Sequence, residues 1–159
     1  MVALYMSHIR PIMDYGSCVW NMQYLSDVRL LESTLRRWTR EIVGVQTLSY
    51  KERLKSIGLY SVWGRLLRAD LVKVWRAFHC DTDVGIADLF QLHGVSSTRG
   101  HSFKLVVQRC RTEVRRRSFA LRVVQKWNAL PPRVAEAQSI NCFKSYLDDW
   151  LGDSLFDVV

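Results

Sequence analysis

Near the end of the chain, the stretch YLDD carries two adjacent carboxylates, Asp148 and Asp149. A Tyr-x-Asp-Asp motif on a tight hairpin between hydrophobic strands can hold the magnesium ions of a polymerase, together with an aspartate from a separate strand. Here the apolar residues around the motif, Phe143, Leu147 and Leu151, recur at helical spacing instead. This pattern predicts a terminal helix with an acidic outer face. We therefore expect the motif to bind no metal and the chain to have no catalytic residue.

The histidines and cysteines do not have the spacing of a metal site or of a catalytic nucleophile. Cys18, Cys80, Cys110 and Cys142 contain no CxxC pair, which argues against zinc and, without a secretory signal, indicates free thiols in a reducing compartment. No apolar run approaches the roughly 20 residues of a membrane span. We expect an intracellular protein, nuclear or cytoplasmic, that has no cofactor, membrane partner or small-molecule substrate.

Positive charge is concentrated in one segment. The chain has a net charge of +8, and residues 96–126 hold nine basic residues against one acid, Glu113. Arginine offers two-pronged contacts to phosphate and stacks on bases, so a dense basic segment indicates contact with a nucleic-acid backbone. A solubilising basic surface would have the same composition. The candidate contacts in and beside the stretch RCRTEVRRRSF are Arg99, Lys104, Arg109, Arg111, Arg115, Arg116 and Arg117.

A second basic face is predicted on a helix that Ser26 or Asp27 caps and that runs to about Val43. Apolar residues recur along it at spacings of three and four, which makes one buried stripe; they are Val28, Leu31, Leu35, Trp38 and Ile42. Arginines lie on the remaining surface of the helix and are further candidate contacts to nucleic acid; they are Arg29, Arg36, Arg37 and Arg40.

The remaining pattern predicts a mainly α fold, a helical bundle with at most one short β-hairpin. Ser49 and Glu52 form a capping box, Gly58 ends that helix, and Ser61 opens the longest helix, which reaches about His79. On it we expect Arg65, Arg68, Lys73 and Arg76 to share the outer face. SFKLVVQ and TEVRRRS alternate weakly and could pair as a hairpin around residues 109–111. A helix after Ser118 should stop at Pro131 and Pro132, and Ser139 should cap the last one. Four tryptophans should be largely buried: Trp38, Trp63, Trp75 and Trp127.

Several stretches, in order along nearly the whole chain, resemble one family. LYMSHIRPIMDYGSCVW is similar to the Ile-Arg-Pro…Tyr-Gly…Trp segment that follows the polymerase domain of non-LTR (LINE-type, jockey-like) retrotransposon reverse transcriptases. DVRLLESTLRRWTREIVGV and SYKERLKSIGLYSVWGRLLRADLVKVWRAFH resemble the next two family segments. TRGHSFKL, SFALRVVQKWNALP and INCFKSYLDDWL resemble its Arg-x-His-Ser, Trp-Asn-x-Leu-Pro and terminal Phe-Lys…Leu-Asp motifs.

The resemblance implies a region that begins with the polymerase thumb and lies after the catalytic palm. It would contain a thumb-like helical subdomain at 1–80, a linker at 81–101, and a basic hairpin with C-terminal helices at 102–159. In the parent protein, an RNA-directed DNA polymerase, the thumb helices would follow the template–primer duplex. The chain itself would then be a non-catalytic C-terminal fragment that binds RNA or DNA without sequence specificity. The alternative is a domesticated or remnant helical module that acts through protein–protein contacts.

Overall fold

The computed structural model describes residues 2–21, 24–80, 85, 87–94 and 100–158. Within these residues every regular element is a helix, apart from one antiparallel bridge between Leu92 and Leu105, and the predicted mainly α fold is confirmed.

The chain forms two compact units, Met1–Leu67 with Leu151–Val159, and Arg68–Trp150. The domain boundaries predicted from the sequence, after residue 80 and after residue 101, remain a prediction. The α-helices are α1 (Val2–Leu4), α2 (Arg10–Asp14), α3 (Ser17–Trp20), α4 (Leu25–Arg40), α5 (Tyr50–Ser56), α6 (Val62–His79), α7 (Glu113–Arg116), α8 (Phe119–Asn128), α9 (Pro132–Ala135) and α10 (Ile140–Leu151).

Pro11 explains the irregular start of the chain. A π-helix, Tyr5–Ile9, separates α1 from α2, and the Arg10 amide donates to the Tyr5 carbonyl. Pro11 has no amide hydrogen, and it lies in the first turn of α2, where a helix tolerates proline. The π-helical segment therefore ends two residues before Pro11, where α2 begins.

The termini of α4 differ from the prediction, whereas those of α5 agree with it. Helix α4 begins at Leu25 without a side-chain cap and ends at Arg40, so neither the predicted cap at Ser26 or Asp27 nor the extension to Val43 is correct. On α5, Ser49 and Glu52 form the predicted capping box. Gly58 then adopts a φ of 68°, and the amides of Gly58 and Leu59 donate to the carbonyls of Lys55 and Leu54. This is a Schellman C-cap, for which glycine is the preferred residue.

In the first unit, the core is built from leucines and valines of α4, α5 and α6 around Tyr5. A C-terminal 3₁₀-helix, Gly152–Phe156, joins this unit through the start of α6. The Ser61 amide donates to the Leu155 carbonyl over 3.0 Å. Gly64 permits the approach, because a Cβ at that position would lie 2.7 Å from the Leu155 carbonyl carbon and 2.8 Å from its Cα.

The second unit is organised around Trp127 and Phe143, both fully buried. The Trp127 indole donates to the Phe103 carbonyl over 2.7 Å. Asn128 completes the attachment, because its side-chain amide exchanges two 2.8 Å hydrogen bonds with the backbone of Leu105. The Trp-Asn pair of α8 therefore holds the segment 101–105, whose Leu105 also forms the bridge to Leu92.

The tryptophan prediction is correct for two of four side chains. Trp75 and Trp127 are 3% and 0% exposed. Trp38 and Trp63 are half-buried, and the Trp38 ring stacks on Tyr5 with centroids 4.6 Å apart.

The hairpin predicted around residues 109–111 does not form. Its second half contains helix α7, in which the Thr112 hydroxyl accepts the Arg115 amide, and Leu105 in its first half pairs with Leu92 instead. Glu113 favours the helical turn, because its carboxylate lies 2.6 Å from Arg116 and 3.9 Å from Arg117 at i+3 and i+4.

The predicted outer face of α6 is partly internal. Arg65 is buried, its Nε lies 2.9 Å from Asp14 Oδ1, and it donates from Nη1 to the Tyr5 hydroxyl. The Nε–Oδ1 contact is an ion pair without an aligned hydrogen bond, since neither atom has a bond of acceptable geometry. Buried arginines are retained where a carboxylate pairs with them, and the apolar periodicity gave no sign of this partner.

Candidate nucleic-acid interface

The YLDD stretch lies inside α10, as the helical spacing predicts. Asp148 accepts a two-pronged contact from Arg68, with distances of 2.5 Å from Nε to Oδ1 and 2.9 Å from Nη2 to Oδ2. Asp149 is exposed on the next position of the helix. Among the described residues, no group of three histidine, cysteine, aspartate or glutamate side chains converges as a metal site would require.

The predicted arginines of α4 are all exposed. They belong to the unit that contains residues 1–67. The Arg36 guanidinium carbon lies 4.7 Å from the centre of the Tyr50 ring, in a cation–π contact. Arg29, Arg36 and Arg40 follow one another at intervals of seven and four residues, which leaves them on the same side of the helix. Arg37, the fourth candidate, lies beside Arg36.

A buried carboxylate lies beneath this surface and was missed by sequence reasoning. Glu32 is 2% exposed. One of its oxygens accepts the Tyr50 hydroxyl over 2.5 Å, and the other accepts the Val62 amide over 2.8 Å at the start of α6. Burial, and then the hydrogen bond to Glu32, raise the pKa of the Tyr50 hydroxyl, so this group remains a donor. An acid within the apolar stripe, four residues after Val28, was the sequence feature that could have revealed it.

An open cleft of about 240 Å³ lies against the same face of α4. Its lining residues on the helix are Arg29, Glu32, Ser33 and Arg36, and Val158 contributes from the C-terminal segment. Positions 29, 32, 33 and 36 are spaced by three, one and three residues, as one face of an α-helix requires. The cleft therefore brings two of the predicted arginines together around the buried carboxylate.

The second predicted set lies in the unit 68–150 and is more dispersed. Arg109 and Arg111 are exposed in the irregular segment before α7, Arg115 and Arg116 are exposed on α7, and Arg117 is half-buried. The Glu113 carboxylate neutralises part of this charge through its contacts with Arg116 and Arg117. Lys104 is half-buried, with its side chain beside the Gly100 backbone, and Arg99 lies outside the described residues.

Arg122 also belongs to the basic segment but has a structural role. It donates from Nε and Nη2 to both oxygens of buried Asp70, over 2.8 and 3.0 Å. Its charge is therefore used inside the second unit. One of the nine basic residues of the segment 96–126 is thus paired with an acid from outside that segment.

His101, which the sequence places in a basic context, is buried. Its Nε2 lies 3.1 Å from the Trp127 carbonyl, and a carbonyl can only accept, so Nε2 carries the proton. Its Nδ1 has no hydrogen-bond partner. Burial lowers the pKa of the imidazole, the Trp127 carbonyl opposes that shift, and Lys104 adds to it. The neutral ring packs edge-on against Trp127, which is a structural role.

The chain was compared with protein-family models, curated proteins and solved structures, and none of them matches it. In the described part of the chain, no helix is long and apolar enough to cross a membrane. The helical architecture and the arrangement of the basic residues therefore rest on the structure, and the family resemblance rests on the order of the sequence motifs.

Proposed function

We propose that the chain is the non-catalytic C-terminal region of a non-LTR retrotransposon reverse transcriptase, which binds the phosphate backbone of RNA or DNA with low sequence specificity. The observation that carries this proposal is the arginine face of α4. Arg29, Arg36, Arg37 and Arg40 are all exposed on it, while an adjoining side of the same helix buries Val28 and Leu35. By its place in the ordered series of motifs, the same helix resembles a helix of the polymerase thumb.

Phosphate contacts fit the chemistry of this face better than base recognition does. A guanidinium binds phosphate oxygens in a two-pronged manner and keeps its charge at any physiological pH. Contacts of this type add affinity without reading sequence. A helix that carries several of them would follow a duplex along its backbone.

The proposal does not include polymerase chemistry. Phosphoryl transfer by a two-metal mechanism needs carboxylates that converge on magnesium. Asp148 is instead bound to Arg68 inside a helix. In the parent protein the catalytic carboxylates would lie in the palm, which precedes the region that this chain resembles.

Fluorescence anisotropy with a labelled duplex, repeated over a series of salt concentrations, tests the proposal. We expect binding at low salt that weakens steeply as salt rises, with a log–log slope of about −0.9 for each phosphate contact on duplex DNA. Duplexes of unrelated sequence should bind alike. A triple variant, Arg115→Ala, Arg116→Ala and Arg117→Ala, should reduce the slope if α7 contributes; an unchanged slope would assign the interface to α4. Absence of binding at low salt would contradict the proposal.

A second candidate function is supported by a different surface. Several large apolar side chains near the N-terminus are strongly exposed, including Ile12 at 78%, Tyr15 at 85% and Val19 at 86%. Exposed apolar groups mark a protein-contact surface where they form one contiguous patch. A domesticated or remnant module that acts through protein contacts would use them. Salt-independent self-association or partner binding, without nucleic-acid binding, would favour this function.

A further inference from the structure

We infer that Ser118 is a phosphorylation site for an arginine-directed serine/threonine kinase. The chain carries the pattern Arg-Arg-x-Ser/Thr twice, as RRWT at residues 36–39 and as RRRS at residues 115–118. Kinases of this class recognise the two arginines through carboxylates in the substrate groove, where a guanidinium makes charge-assisted hydrogen bonds. The sequence makes both hydroxyls candidates, and the tertiary structure distinguishes them.

The hydroxyl of the first pattern lies in the core of the first unit. Thr39 is 0% exposed, in the last turn of α4. Its hydroxyl donates to the Arg36 carbonyl over 3.0 Å and accepts Nε of Arg53 over 3.4 Å. Arg53 is itself buried. A kinase could reach Thr39 only by unfolding the end of a 16-residue helix and exposing this arginine.

The hydroxyl of the second pattern lies at a junction between two helices. Ser118 is half-buried and stands between α7 and α8. Its hydroxyl donates to the Arg115 carbonyl over 2.7 Å. This hydrogen bond stays within the turn, so the hydroxyl can leave it without breaking a contact to the core. The side chains of Arg115 and Arg116 are exposed, as recognition of the pattern requires.

The turn before Ser118 opens at low cost. A kinase binds its substrate as an extended segment, and α7 is a single turn of four residues, too short to be stable by itself. The ion pair between Glu113 and Arg116 supports this turn, but its side chains are 61% and 65% exposed, and such pairs contribute little. The opening need not reach Val123, the first buried residue of α8.

The folded chain can also carry the product. The kinase transfers the γ-phosphoryl group of ATP to Oγ of Ser118: the bond from phosphorus to the ADP oxygen breaks, the bond to Oγ forms, and the hydroxyl proton passes to the aspartate base of the kinase. The phosphate brings a charge of about −1.5 to −2 at pH 7. Ser118 is the N-cap residue of the ten-residue helix α8, and negative charge is favourable at that end of a helix.

Phosphorylation would also change the basic segment. The new phosphate would lie in the same turn as Arg115 and Arg116, where Glu113 already pairs with Arg116. It would lower the positive charge that this turn offers to a nucleic-acid backbone. We therefore expect the modified chain to bind nucleic acid more weakly, and this part of the inference rests on the proposed function.

The first test incubates the whole chain with Mg-ATP and the catalytic subunit of the cAMP-dependent protein kinase, and locates the phosphate by mass spectrometry of peptide fragments. We expect phosphate on Ser118, none on Thr39, and none at this site in Ser118→Ala. Arg115→Ala should slow the modification about tenfold, through loss of a charge-assisted contact. Arg117→Ala removes the same charge at the position that the pattern leaves open, and should not slow it. An unmodified Ser118, or equal rates in the two arginine variants, would overturn the inference.

Two short peptides, residues 33–42 and 112–121, are the unfolded controls and should both be modified. Modification of the first peptide, together with an unmodified Thr39 in the folded chain, shows that burial protects this residue. Modification of Thr39 in the folded chain as fast as in its peptide would contradict the distinction between the two sites.

The second test compares the phosphorylated and unmodified chains by fluorescence anisotropy with a labelled duplex. We expect a lower affinity and a log–log salt slope smaller by about 0.9 for each arginine that the phosphate neutralises. Ser118→Ala treated with the same kinase is the control and should bind like the unmodified chain. An affinity that phosphorylation leaves unchanged overturns the effect on binding. If the unmodified chain does not bind at low salt, the proposed function fails, whereas the assignment of Ser118 depends on the first test alone.

Discussion

Arg68 on α6 and Asp148 on α10 form a two-pronged ion pair within the second unit, in which each carboxylate oxygen accepts one guanidinium N–H. The pair is partly buried, with exposed side-chain fractions of 20% and 29%. The ion pair therefore connects α6 to α10 through Asp148, the residue that would bind magnesium if YLDD were a polymerase motif. Asp148 could bind magnesium only if its ion pair with Arg68 were broken.

The first prediction concerns this aspartate. We expect no magnesium-dependent primer extension from the chain on a primed RNA template, and we expect Asp148→Asn to lower the free energy of unfolding by about 1–3 kcal/mol through loss of charge-assisted hydrogen bonds. Urea denaturation measures the second effect. Asp149→Asn, at the exposed neighbouring position, is the control and should stay within about 0.5 kcal/mol. Primer extension that is abolished by Asp148→Asn would show that the helix is not the functional state.

The second prediction concerns the core of the second unit. Trp127→Ala should lower the free energy of unfolding by about 3–5 kcal/mol, because it empties a fully buried site and removes the donor to Phe103. Trp150→Ala is the matched control, since that side chain is 38% exposed. Chemical denaturation compares the two variants. Equal losses would mean that α8 is not packed as described.

The third prediction uses the contact between Gly64 and Leu155. Alanine normally stabilises a helix interior by about 1 kcal/mol relative to glycine. At Gly64 the added methyl group would meet the Leu155 backbone, and we expect Gly64→Ala to destabilise the protein by about 1–3 kcal/mol through overpacking. Gly94→Ala has open space around its Cβ and serves as the control. A stabilising Gly64→Ala would show that the C-terminal 3₁₀-helix does not pack against α6.

The fourth prediction concerns pH. Because burial lowers the pKa of His101 in the folded protein, the unfolded chain takes up a proton at a higher pH than the native state does. Stability should therefore decrease as pH falls below the unfolded-state value of about 6.5, towards the lower folded-state pKa. Urea midpoints between pH 8 and pH 5.5 measure the change, and His101→Gln should reduce its slope. If His101→Gln shows the same dependence of stability on pH as the wild type, another group is responsible for it.

Local features of the sequence were sufficient where neighbours in the chain decide the conformation. The capping box at Ser49 and Glu52, the glycine C-cap at Gly58 and the helical setting of Asp148 all depend on residues within a turn or two. The exposed arginines of α4 were also predictable, because the apolar stripe on one side leaves the other side to solvent.

Long-range partners were decided only by the tertiary structure. Arg65 is buried because Asp14 and Tyr5, far earlier in the chain, pair with it. Glu32 is buried because Tyr50 and the first turn of α6 supply its donors. The segment 101–105 bonds to Asn128 and Trp127 in place of a hairpin strand. Periodicity shows which side of an element is apolar. A buried charge, however, is stable only where a specific partner lies opposite it. The packing of distant segments decides where that partner lies.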